Sequence, residues 1–123
     1  MTFRYLAILT SVLLFGLAAA WMSTPELMLT QWGVQYSDGA GLVSRRAAAF
    51  YAGIALMLLL ARNTEASKAR SALATGISLT CLILATLGIL EWQSGSATTQ
   101  ILVAVVLEAF LAVAFLLSSQ AKS

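Results

Sequence analysis

The sequence predicts an all-α fold: an integral membrane four-helix bundle, antiparallel and up-down-up-down, with a short interfacial helix in the first loop. Three observations carry this reading. The chain is 60% hydrophobic and only 10% charged, whereas a soluble domain carries roughly 25% charged residues, so there is too little polar surface to cover a globule in water. Its mean hydropathy is +0.90. The apolar residues gather into four segments, at about residues 3–22, 42–62, 70–90 and 97–119, each near the ~20 residues that cross a hydrocarbon core. All 123 residues form one transmembrane domain in this reading.

The first segment has the outline of a signal peptide, with Arg4, an apolar run and the small residues Ala18, Ala19 and Ala20. Its apolar run of about 18 residues is longer than a signal core of about 7–15, so it is expected to stay as the first membrane helix. The loop that follows contains "STPEL". Thr24 is placed to cap a helix, with Pro25 at its first position and Glu26 near the positive end of the dipole. Leu27, Met28, Leu29 and Trp32 then give a short interfacial helix ending at Gly33, and "SDGAG" reads as a flexible turn.

The charge-free part of the second span, residues 47–61, is 15 residues long, about 22 Å of helix against a ~30 Å core. The helix must therefore begin before Arg45 and Arg46. The third and fourth spans follow the short polar connections "RNTEASKAR" and "EWQSGSATT", and short connections make neighbouring helices antiparallel. Lys and Arg in short loops set orientation. Arg4, Arg62, Lys68, Arg70 and Lys122 fall at one face, and Arg45 and Arg46 at the other. The richer face is expected to be cytoplasmic, with both termini on it, in what is expected to be a bacterial cytoplasmic membrane. Trp21, Trp32 and Trp92 then fall at the outer boundary, as aromatic anchors.

Several chemistries are excluded. The chain has no His and a single Cys, Cys81, so it can build neither a Cys/His metal site nor a Cys–His nucleophile pair. Cys81 reads as a small buried apolar side chain. A formal charge of +2 without a basic patch interleaved with aromatics gives no case for nucleic acid. Neither a metal nor a cofactor is expected; the partners expected are the lipid bilayer and other membrane subunits or further copies of the chain.

One carboxylate stands out. Glu108 lies inside "ILVAVVLEAFLAVAFLL", where a charged side chain at mid-span costs about 2.5–3.5 kcal/mol even on the mildest scale. Such groups face protein and find a partner. Ala104 and Ala112, one turn to either side, allow close helix approach. Arg45 and Arg46, with Ala49 and Gly53 on the same helix, offer a cation and a second small-residue seam. Glu108, Arg46, Arg45 and Glu91 are therefore the candidate buried polar cluster, with Glu108 paired to Arg46 in preference to Arg45. The plainer readings are that the arginines snorkel to lipid phosphates, that Glu108 is a protonated or ion-paired packing residue, and that Glu91 marks a helix end. Gly76, Thr80 and Gly88 read as a packing seam on the third span.

The stretch "SRRAAAFYAGIALMLLLAR", a Lys/Arg-bearing turn, a third span and "LEAFLAVAFLL" together resemble a family of small four-helix bacterial inner-membrane proteins of unknown function, broadly DoxX-like. The residues that carry the resemblance are Arg46, Tyr51, Gly53 and Glu108. The chain departs from the pattern with Ala52 in place of a second glycine and Arg45 in place of an acidic residue. The resemblance implies a four-helix membrane fold and brings no activity.

With no catalytic set and little mass outside the spans, the expected role is a non-enzymatic accessory or assembly subunit of a larger membrane complex. The alternative is a small proton-coupled transporter using Glu108, although four-helix exporters carry their key carboxylate in the first helix and this first helix has none. A lipid or quinone enzyme ranks third. The topology is directly testable. A reporter active only outside the cytoplasm should be silent when fused after Lys122 and active when inserted near Gly95; the opposite pattern reverses the orientation.

Overall fold

The structure, a computed structural model, describes residues 2–120. Lys122, counted above with the cytoplasmic charges, lies outside them. The described chain is all-helical: α1 (Phe3–Ser23), α2 (Pro25–Gln31), α3 (Asp38–Ala61), α4 (Lys68–Gln93) and α5 (Ile101–Gln120). Four of these, all but α2, are long and apolar enough to cross a bilayer. The chain is an integral membrane four-helix bundle.

Helix starts follow capping chemistry. The side chains of Thr2, Ser37 and Ser67 accept from the backbone N–H groups of Tyr5, Ala40 and Arg70, satisfying amides that have no partner in the first turn. The Ser37 cap explains why α3 begins at Asp38, inside the stretch read as a flexible turn. It also gives α3 the length that residues 47–61 lack.

At the α1–α2 junction the sequence reading of Thr24 needs correction. Its side chain makes no capping bond to α2; the hydroxyl instead donates back to the Ala20 carbonyl at 2.9 Å, and the backbone N–H donates to the same oxygen. Its hydroxyl is committed to the carbonyl end of α1, while its own carbonyl accepts from the Met28 N–H of α2.

α5 begins at Ile101, not at 97, because the preceding turn is tied elsewhere. Thr98 donates through its N–H to the Trp32 carbonyl at 3.0 Å and through its hydroxyl to the Gln31 carbonyl at 2.7 Å. The α4–α5 turn is thus fastened to the end of α2. Gly33 permits this. Its φ is +76°, and a Cβ there would lie 2.7 Å from Thr98 Cγ2, so both backbone conformation and space require glycine.

The bundle is two tight helix pairs, α1 along α3 and α4 along α5, with lighter contact between α1 and α5. Each pair is closed by a hydroxyl that bonds across it. Ser11 of α1 donates to the Ala55 carbonyl of α3 at 2.9 Å, and Ser78 of α4 donates to the Ala112 carbonyl of α5 at 2.6 Å. A bond from a side chain to the neighbouring backbone requires helices close enough that only small residues fit between, and Ala7, Ala48, Ala55, Ala74, Ala85 and Gly88 are buried along these seams.

Towards the termini, all four spans share one core of Phe3, Leu6, Leu58, Ile77, Leu111 and Phe115. At the opposite end a second core joins Trp21, Leu29 and Ala48 of α1, α2 and α3. Trp21 is buried there, its ring centroid 5.3 Å from that of Trp32. It is a packing residue, not an aromatic anchor at the membrane surface. Trp92 is exposed.

Gly88 and Gly53 should respond differently to the same substitution. A Cβ at Gly88 would lie 2.6 Å from Val105 Cγ2, whereas nothing lies within 4 Å of one at Gly53. Val105 is β-branched and stiff at χ1, so Gly88→Ala should force α4 from α5 and destabilise by about 1–3 kcal/mol. Gly53→Ala should leave thermal stability in detergent within about 0.5 kcal/mol. Equal losses at the two positions would show that the α4–α5 seam is not the closer one.

Candidate functional site

Glu108 lies on the packed side of α5. It is three residues after the buried Val105 and four before the buried Ala112, so helical periodicity turns it towards the bundle, where it is half-buried. Around it is a cavity of about 130 Å³ lined by Tyr51 of α3, Leu84, Leu87, Gly88 and Glu91 of α4, Ile101, Ala104 and Glu108 of α5, and Trp32. The cavity lies towards the end opposite the termini, since the shared core of all four spans lies nearer the termini. Trp32 is set over it by the Thr98 bonds to the end of α2.

The structure brings together part of the cluster read from the sequence. Glu91 and Glu108 line the same cavity, with Glu91 exposed and not buried as the cluster reading has it; Arg45 and Arg46 do not line it. Among the described residues no ion pair joins Glu108 to an arginine. The reason is the phase of α3. Its buried face runs through Gly41, Ser44, Ala48, Ala55 and Leu58, and Arg46, two residues from both Ser44 and Ala48, falls about 200° around the helix from each. Arg46 is exposed. Arg45, also exposed, lines a separate groove of about 630 Å³ with Glu26 and Tyr36 at the α1–α2 junction.

In place of a cation, α3 contributes Tyr51. Tyr51 lines the cavity with Glu108, and Cys81 is buried in the core that all four spans share. Tyr51 was named in the sequence only through the family resemblance. The signal that places it at the site is its register with Ser44, Ala48, Ala55 and Leu58. Trp32 was read as an anchor, and nothing local in the sequence links it to Glu108, because the link runs through the distant turn at Thr98.

The small residues divide into two sets. Gly88, Ala104 and Ala112 belong to the α4–α5 seam and its cavity. Ala49, Gly53, Gly76 and Thr80 are exposed, and nothing lies within 4 Å of a Cβ built at Gly53 or Gly76. They do not form the internal seams expected of them. Gly76 sits two residues from the buried Ala74 and Ser78, so it too faces outward. Gly76 and Thr80 line an open groove of about 280 Å³ between α3 and α4, with Ile54, Met57 and Leu73.

Two carboxyl groups, a phenol and an indole around a small cavity can hold a proton or a small cation. Among the described residues no group of three or more acidic, His or Cys side chains could hold a metal ion. Fold and site together define the class: a small polytopic membrane protein with an acidic, aromatic-walled cavity between two helix pairs. Compared with known protein families, curated proteins and solved structures, the chain matches none.

A double-mutant cycle separates the two candidate partners of Glu108. Glu108→Gln and Tyr51→Phe should couple by more than about 0.5 kcal/mol in thermal unfolding, whereas Glu108→Gln and Arg46→Leu should add to within that figure. Coupling to Arg46 alone would mean that α3 is turned differently.

Proposed function

We propose that the protein is a non-enzymatic subunit that docks against a helix of another membrane protein, in a bacterial cytoplasmic membrane with both termini inside. The observation that carries this reading is the open groove between α3 and α4. Gly76 and Thr80 line it, and Gly53 and Ala49 lie bare on the α3 surface. Lipid tails are as apolar as leucine, so helices in a bilayer associate through close packing, and small residues are what allow it. The small residues of α4 and α5 that line the inner seam are consumed within the chain; these are not.

A second reading rests on a different feature. The cavity holding Glu108, Glu91 and Tyr51 supports proton-coupled transport of a small substrate, with Glu108 carrying the proton.

Single cysteines at Gly76, Thr80 and Val103 of a Cys81→Ala background distinguish the two. In native membranes, the subunit reading expects crosslinks from Gly76 and Thr80, but not from lipid-facing Val103, to a polypeptide of different mass. It also expects Gly76→Leu to dissolve the assembly in mild detergent without lowering the unfolding midpoint of the isolated chain. Crosslinks only between identical chains, together with proton-driven uptake that is lost in Glu108→Gln, would replace the subunit reading with the transporter.

A further inference from the structure

The end of the bundle that carries the termini gathers three arginines from three separate segments. Arg4 of α1, Arg62 at the end of α3 and Arg70 of α4 line one cleft of about 320 Å³. Arg62 and Arg70 flank the short loop between α3 and α4, and the fold brings the distant Arg4 of α1 to them.

The three are held differently. Arg70 is only 6% exposed; its guanidinium carbon lies 5.0 Å from the ring centroid of Phe3, and its Nη1 donates to the Thr64 carbonyl at 3.2 Å. It is a fixed part of the wall. Arg62 is half-buried, and its Nη1 donates to the carbonyl of Leu59 in its own helix. A guanidinium has five N–H donors in a planar fork, so most of those of Arg62 are uncommitted by this bond. Arg4 is exposed at the mouth. Among the described residues, one carboxylate, Glu65, lines the cleft with them, and it forms no ion pair with Arg4 or Arg62.

We propose that this cleft binds the phosphodiester headgroup of an anionic phospholipid, gripped by Arg4 and Arg62 against the wall made by Arg70 and Phe3. Guanidinium pairs with phosphate in a bidentate geometry that an ammonium cannot reproduce. Like charges held at the edge of a low-dielectric slab repel one another more strongly than in water, and a bound anion relieves that repulsion. The position selects a lipid over a soluble phosphate. The cleft lies at the ends of the membrane-spanning helices α1 and α3, and Tyr5 and Leu60, within two residues of Arg4 and Arg62, are 66% and 72% exposed, apolar surface against which acyl chains can run. Basic clefts between helix ends are a recurrent way of holding anionic headgroups. The proposal is independent of the docking groove and of Glu108.

The test uses the full chain purified in mild detergent, with phosphatidylglycerol or phosphatidylcholine added in mixed micelles. Native mass spectrometry reads retained lipid, and thermal unfolding reads its effect on the midpoint. Phosphatidylglycerol should be retained in preference and should raise the midpoint. Its affinity should fall about fivefold for Arg4→Gln or Arg62→Gln and about thirtyfold for the two together. Arg45→Gln, at the opposite end of the bundle, should change nothing. Arg4→Gln lies at an exposed position, so the fold survives it even if Arg62→Gln proves destabilising. Equal retention of the two lipids, or a loss at Arg45→Gln as large as at Arg62→Gln, would overturn the proposal. So would displacement of the lipid by an equal concentration of inorganic phosphate, which would make a free anion the ligand.

Discussion

The bundle depends on how closely its helices approach within each pair. In a bilayer there is little hydrophobic gain in moving a side chain from lipid to protein, so association rests on van der Waals contact and on hydrogen bonds between helices. Ser11 to the Ala55 carbonyl and Ser78 to the Ala112 carbonyl are such bonds, and they form only because alanine and glycine line the seams. The fit at Gly88, where even one methyl group would strike Val105, shows how little slack remains. Thr10 and Ser118 carry the opposite side of this constraint: their hydroxyl oxygens are buried without a partner among the described residues, an arrangement that typically costs about 1–3 kcal/mol per group.

Two tight pairs joined by one core near the termini leave the other half of the molecule free to part. The partition has two consequences. Between the pairs is the small cavity of Glu108, Glu91 and Tyr51, closed above by Trp32. On the surface between α3 and α4, at the level of the shared core, is the open groove of Gly76 and Thr80. The link from Thr98 to the end of α2 spans this parting and ties the α4–α5 turn to the α1–α3 side. It is the feature through which a change at one pair would be felt at the other.

That no arginine among the described residues pairs with Glu108 changes what that residue can do. A buried pair with an arginine would be a structural lock, costly to break and inert. A carboxyl that lines a small cavity with a phenol is a group free to take up and release a proton, which is what the transport reading requires. The arginines serve elsewhere: Arg45 in the groove with Glu26, Arg46 on the exposed side of α3, and Arg4, Arg62 and Arg70 in the cleft near the termini.

Composition and hydropathy by themselves determined the membrane class, the number of spans and the short helix after Pro25, because each depends on the length and polarity of a contiguous stretch. Local chemistry also carried the inward turn of Glu108, since Ala104 and Ala112 share its face at helical spacing. Which helix faces meet was decided only in three dimensions. Arg46 and Gly53 lie on α3 as plausibly as Tyr51 does, and the phase that buries Tyr51 and exposes the other two is fixed by contacts of Ser44, Ala48 and Ala55 with other helices. The same holds for Trp21, legible as an anchor by position yet buried against Trp32. The loop charges placed Arg4, Arg62 and Arg70 at one end of the bundle, but that they line one cleft was decided only by packing, because closeness between Arg4 of α1 and the α3–α4 loop is a property of how helices pack and not of any stretch of chain.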